Sequence, residues 1–220
     1  MKSFFIGAGA LLLVTALPAN AATVTLTQTV NAAIPDNNDT GLVSIIPFSS
    51  TDTHLSQIEL LIETSGGWNG DLYAYLEHNG QLAVLLNRPG KTNANPAGAA
   101  SSGLNVRLTD SALSDIHNAI SPTAGVPAVG TFQPDARPAD PATVTDESPR
   151  SRFLATFTGI DPNGLWTLFI ADLSAGDTAT LESWSLAITA VPEPSTALFA
   201  ALGSAPLLLL RRRTIRHRCR

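Results

Sequence analysis

The amino-acid sequence predicts an all-β fold, a β-sandwich, on three observations. Between Thr23 and Ala190, apolar residues almost never recur with the helical period. Short runs rich in β-branched and aromatic residues take their place, each bounded by Gly, Asn, Asp or Pro. Asn79-Gly80 joins two of these runs, and both residues tolerate the positive φ of a tight hairpin.

The elements follow in order. Thr23-Val24-Thr25-Leu26-Thr27 alternates with period two, as a half-buried strand does. Ile58 to Ile62 is a nearly continuous apolar run, expected of a buried sandwich strand. Asp71 to Leu76 and Leu82 to Leu86 flank the Asn-Gly turn as hairpin partners, with His78 expected as an exposed turn residue. The stretch from Thr92 to Arg150 is rich in Ala, Pro, Ser and Asp and reads as wrapping loop. Within it Leu104 to Leu108 reads as a strand, Ala112 to Ile120 as a short turn of helix, and Ala136 to Ser148 as a candidate for disorder. Leu165 to Ile170 and Leu181 to Ile188 read as a closing strand pair, each with a tryptophan near its head. Trp166 and Trp184 are therefore expected in the core, where large aromatics dominate burial. Trp68 lies in a glycine-rich loop, Ser65 to Gly70, and is the tryptophan expected at the surface.

Both ends carry export signals. Lys2, an apolar run from Phe4 to Leu17 and the small-x-small pattern Ala19-Asn20-Ala21 make residues 1–21 a cleavable signal peptide, removed by signal peptidase. The domain proper is then 22–190. In 191–220, Pro192-Glu193-Pro194 precedes an apolar stretch from Thr196 to Leu210 and a basic end, Arg211, Arg212, Arg213 and beyond. The apolar segment reads as a sorting helix that enters the inner membrane in transit, with the arginines held on the cytoplasmic side. This order resembles the PEP-CTERM sorting signal of Gram-negative bacteria. The resemblance implies processing by an exosortase-type membrane protease and delivery to the cell surface, outer envelope or extracellular polysaccharide matrix.

Charge narrows the partners. The domain holds six basic residues, Arg88, Lys91, Arg107, Arg137, Arg150 and Arg152, against seventeen acidic ones, a net charge near −11. An acidic surface repels phosphate backbones, so no nucleic-acid partner is expected. The single cysteine, Cys219, lies in the basic tail, so the domain has no disulfide to stabilise it. Calcium is the candidate cofactor, because hard oxygen ligands cluster at Asp36-Asn37-Asn38-Asp39 before Gly41. Asp71, Asp172 and Asp177, at strand ends, form a second candidate oxygen site.

Several motifs taken in order resemble the P domain (P/Homo B) of subtilisin-like proprotein convertases. They are Ile34-Pro35-Asp36-Asn37, Gly41 to Ser44, Gly70 to Leu76, the turn Gly130-Thr131-Phe132-Gln133-Pro134, Gly164 to Leu168 with Asp172, and Asp177 to Leu186. The resemblance implies a jelly-roll β-sandwich without catalytic groups of its own. His54, His78 and His117 stand in no His-Gly-Thr context, and no Gly-Thr-Ser-x-Ala or Gly-x-Ser-x-Gly motif follows. The expectation is thus a non-catalytic exported protein with a binding or structural role. A carbohydrate-binding module, with Trp68, Tyr73 and Tyr75 as ligand contacts, is the alternative. A hydrolase, including the serine-type endopeptidase activity associated with P-domain proteins, ranks behind it.

Overall fold

Period-two alternation in the sequence becomes two sheets with apolar inner faces. The structure, a computed structural model, describes residues 21–120 and 123–191. The expected signal peptide up to residue 20 and the sorting tail from Pro192 lie outside them. Nine strands are described: β1 (Ala22–Ala33), β2 (Asn38–Phe48), β3 (His54–Gly66), β4 (Leu72–His78), β5 (Gln81–Asn87), β6 (Leu104–Leu108), β7 (Ala128–Phe132), β8 (Gly164–Asp172) and β9 (Ala179–Val191). One sheet has the order β1-β9-β3-β6-β7 and the other β2-β8-β4-β5. Every pairing is antiparallel except β6 with β7.

Burial follows the alternation. Leu60 and Ile62 of β3, Leu72, Ala74 and Leu76 of β4, and Leu168 and Ile170 of β8 are all buried in one core. Trp166 and Trp184 are fully buried, as expected. The Trp184 indole N–H donates to Ser44 Oγ at 2.8 Å, a bond from one sheet to the other. The Trp166 indole donates to the Pro162 carbonyl at 3.0 Å, so neither polar handle is stranded inside. At the hairpin, Asn79 and Gly80 take φ of 50° and 76°, the conformation a two-residue turn requires.

Four expectations are corrected. β8 and β9 are not partners: β8 pairs with β2 and β4, and β9 with β1 and β3. Two consecutive strands that each carry a tryptophan inward suit opposite walls of one core better than neighbouring places in one wall, and the link 173–178 crosses between the sheets. β2 is a strand the residue pattern did not announce, since Pro47 interrupts it. Proline is tolerated because β2 lies at a sheet edge. Gly130-Thr131-Phe132, expected in a turn, lies in β7 beside β6. Segment 136–148 is ordered, with Ala136, Arg137 and Val144 all buried. The helix expected over 112–120 shrinks to α1 (Ile116–Ala119), its first N–H groups capped by the Asp115 carboxylate.

Candidate functional site

Strand ends, rather than any one strand, assemble the acidic pole of the molecule. Pairing sets Asn38 and Leu72 on either side of Asp172, and Gly66 opposite Ala179. The loops before β2, before β4 and after β8 therefore meet at one end. They bring Asp36, Asp39, Asp71, Asp172, Asp177 and Trp68 together there, although these residues are scattered in the chain.

The five aspartates differ in kind. Asp71 is buried and ion-paired, its Oδ1 lying 3.1 Å from Arg88 Nη2. Burial holds its pKa above the ordinary value despite Ser174 and Arg88. Asp172 is fully buried. Its Oδ1 accepts from Ser174 N–H at 3.2 Å, while Oδ2 has no hydrogen-bond partner among the described residues. Burial, with the charges of Asp71 and Asp36 added, pushes the Asp172 carboxyl from 3.8 up to about 6. Asp36 is exposed and accepts from Gly176 N–H at 3.3 Å. Exposed Asp39 lines a shallow polar cleft with Asn37, Asn38 and Leu173. Asp177 is also exposed, and its charge acts on Asp71. Asn38 turns its side-chain oxygen to Thr40 N–H at 2.8 Å, an Asx turn. Among the described residues, no three His, Cys, Asp or Glu side chains converge closely enough to hold a metal by themselves. The expected 36–39 cage is therefore not preformed from its side chains.

A second surface lies on the outer face of the four-stranded sheet. Tyr73 and Tyr75 share that face, as period-two placement requires. Phe169 sits beside Tyr75 in register, and the two rings stack at 4.8 Å between centroids. Tyr73 meets both edge-on, at 6.1 and 6.3 Å. Gly41 makes room for this cluster: its φ is +54°, and a Cβ there would come within 2.8 Å of the Phe169 ring. Val43 and Ile45 continue the face on β2, exposed by 54% and 44%. Trp68, at the acidic pole, is 40% exposed, consistent with its expected surface position.

The histidines go elsewhere. His78, expected in an exposed turn, is fully buried at the end of β4. It stacks on Trp166 at 3.9 Å, and its ring nitrogens face the Leu165 and Asp161 carbonyls at 2.9 and 2.8 Å. The flat ring fills space beside the indole, and carbonyls at the sheet end meet its polar atoms.

A network absent from the expectations surrounds His117. His117 Nδ1 lies 2.8 Å from Asp135 Oδ2, and Nε2 lies 2.9 Å from the Lys91 carbonyl. Burial alone would lower the His117 pKa, but the Asp135 carboxylate and the Lys91 carbonyl raise it above the ordinary value. A His–Asp pair makes two of the three members of a catalytic triad. Here the second ring nitrogen is spent on a backbone carbonyl, where a nucleophile would have to stand. Arg137, 2% exposed, closes the network between Asp135 and Asp115. Several charges inside a loop otherwise rich in Ala and Pro were the sequence signal for it.

No family model matches the sequence, and no curated protein is detectably similar to it. Among solved structures, the serine protease of Aeromonas sobria is similar at 15% identity and a TM-score of 0.42, over 77% of this chain and 27% of that one. A chain of the complex between that protease and the chaperone ORF2 matches at 13% identity and the same TM-score, with the same coverage. The chain thus spans little more than a quarter of the length of these structures.

Proposed function

We propose that this chain is an exported, non-catalytic module of the cell surface or extracellular matrix, with a jelly-roll sandwich of the P-domain kind, and that it binds neutral polysaccharide through the outer face of its four-stranded sheet. The observation that carries this reading is the Tyr73–Tyr75–Phe169 cluster continuing into exposed Val43 and Ile45. Sugar rings offer C–H faces that pack on aromatic and aliphatic surface, and hydroxyls that suit the tyrosine rim. An acidic domain does not attract an anionic polymer, which favours a neutral glycan.

Affinity electrophoresis of the secreted protein through gels containing neutral polysaccharides tests the reading. Retardation is expected, and Tyr75→Ala should weaken it by about tenfold, roughly 1.4 kcal/mol. Trp68→Ala, at the far pole, should leave retardation by this face unchanged and cost on the order of 0.5 kcal/mol in stability. Equal mobility with and without every polysaccharide would sink the proposal.

The boundaries of the sandwich support the export reading. β1 starts at Ala22, the residue expected after signal-peptide cleavage. Ala22 and Ala190 are register partners, so the expected start of the mature domain lies beside its expected last residue. β9 is 13 residues long, roughly 40 Å at the usual strand rise, and the acidic pole lies at its other end, away from the membrane-directed tail. Pro192→Ala combined with Glu193→Ala should leave uncleaved protein in the inner membrane, measured by fractionation and intact mass. Normal release of the double variant would remove the exosortase route.

A further inference from the structure

The acidic pole carries an inference independent of glycan binding. Arg88 pairs with Asp71 across 3.1 Å, and Asp36 lies close enough to Asp172 for its charge to act on that buried carboxyl. Asp172 is fully buried and its Oδ2 has no hydrogen-bond partner among the described residues. A buried carboxylate oxygen without a donor loses its hydration and gains nothing in return, a costly arrangement that proteins rarely keep without a reason. Arg88 does not relieve it: its Nε donates to the Gly70 carbonyl, and its Nη2 to Asp71 and Ser174 Oγ.

We propose that the pole is a calcium site, with Asp172 Oδ2 as its inner ligand, Asp36 as its outer carboxylate, and carbonyl oxygens of the loops around Asp36 and Leu173 completing the shell. Two carboxylates match the charge of one divalent cation. Calcium takes six to eight oxygens in flexible geometry, and loop carbonyls supply what the side chains do not. Magnesium demands a tight octahedron and releases its water reluctantly, so a site half made of loop carbonyls discriminates against it. The ion would tie the β1–β2 loop to the β8–β9 crossover at the pole remote from the membrane-directed tail.

Thermal unfolding of the full secreted chain, in EDTA and in millimolar calcium or magnesium chloride, tests this. A higher melting temperature in calcium alone is expected, because a ligand that binds only the folded state stabilises it by mass action. Asp172→Asn should abolish the calcium shift. Asp36→Asn alters an exposed residue, cannot endanger the core, and should weaken calcium at least tenfold in a direct calorimetric titration. The same melting temperature in EDTA and calcium, an equal response to magnesium, or unchanged affinity in Asp36→Asn would each overturn the assignment. Because Tyr75 lies on the sheet face, its glycan assay reports separately, and either proposal fails without the other.

Discussion

Trp184→Ala and Trp166→Ala should each cost roughly 3–5 kcal/mol of folding stability, the range for truncating a fully buried large aromatic. Both side chains have no exposure, and each anchors a contact that alanine cannot replace. Trp184 donates from one sheet to Ser44 in the other, so truncation empties the space between the sheets and leaves the Ser44 hydroxyl without that donor. Trp166 lies under His78 at 3.9 Å and against Phe157 at 5.1 Å, so its loss opens a cavity beneath both rings. A domain of this kind has ~5–15 kcal/mol in all, so either variant sits near its unfolding threshold. Urea melts at equal m-value supply the measurement. A loss below about 1 kcal/mol would mean that the site collapses around the deletion, and that the tryptophans are not what holds the sheets together.

Those tryptophans were legible from sequence because burial follows period two, and a strand that alternates announces its own inward face. The hairpin at Asn79-Gly80 was legible for an equally local reason, the positive φ of both residues. What could not be read was which strand sits beside which. β8 and β9 are neighbours in sequence and lie in opposite sheets, a choice made by the crossover and the shape of the core. His78 was misplaced because turn propensity describes the backbone, whereas the imidazole ring folds back over Trp166. The acidic residues illustrate the same divide. Asp71, Asp172 and Asp177 were visible as strand-end carboxylates and Asp36 as part of an Asx-rich turn, yet only register shows that they share one pole. Both Asp71 and Asp172 are buried, and only the contacts separate them: Asp71 pairs with Arg88, whereas Asp172 Oδ2 has no hydrogen-bond partner among the described residues. The His117–Asp135–Arg137 network left only a compositional trace, charges within an Ala- and Pro-rich stretch, because no period ties α1 to the loop that carries Asp135 and Arg137.

Arg137→Ala should destabilise the protein by about 3–5 kcal/mol, the usual consequence of removing one member of a buried ionic cluster. The guanidinium lies 3.1 Å from Asp115 Oδ2 and 3.2 Å from Asp135 Oδ1, and it also donates to the Asp146 carbonyl at 3.0 Å. Burial alone would raise the Asp115 pKa, and Arg137 is the main reason that it is instead held below the ordinary value. Without Arg137, buried Asp135 and half-buried Asp115 remain as like charges, and the loop they organise loses the cation between them. That loop is joined to the sheet by Asp135 N–H to the Leu85 carbonyl at 3.0 Å and Ala136 N–H to the Val84 carbonyl at 2.9 Å. Asn87 adds bonds to the Arg137 and Ala139 carbonyls at 2.9 and 2.8 Å. The loss should therefore appear locally as well as globally, as faster proteolysis within 136–148 under native conditions. Neutralising the cluster is the control. Arg137→Met combined with Asp115→Asn and Asp135→Asn removes all three charges together and should recover part of the stability lost in Arg137→Ala, because the penalty lies in unpaired charge rather than in lost attraction. If the triple variant is less stable than the single one, the network acts through its specific hydrogen bonds, and the charge-compensation account is wrong.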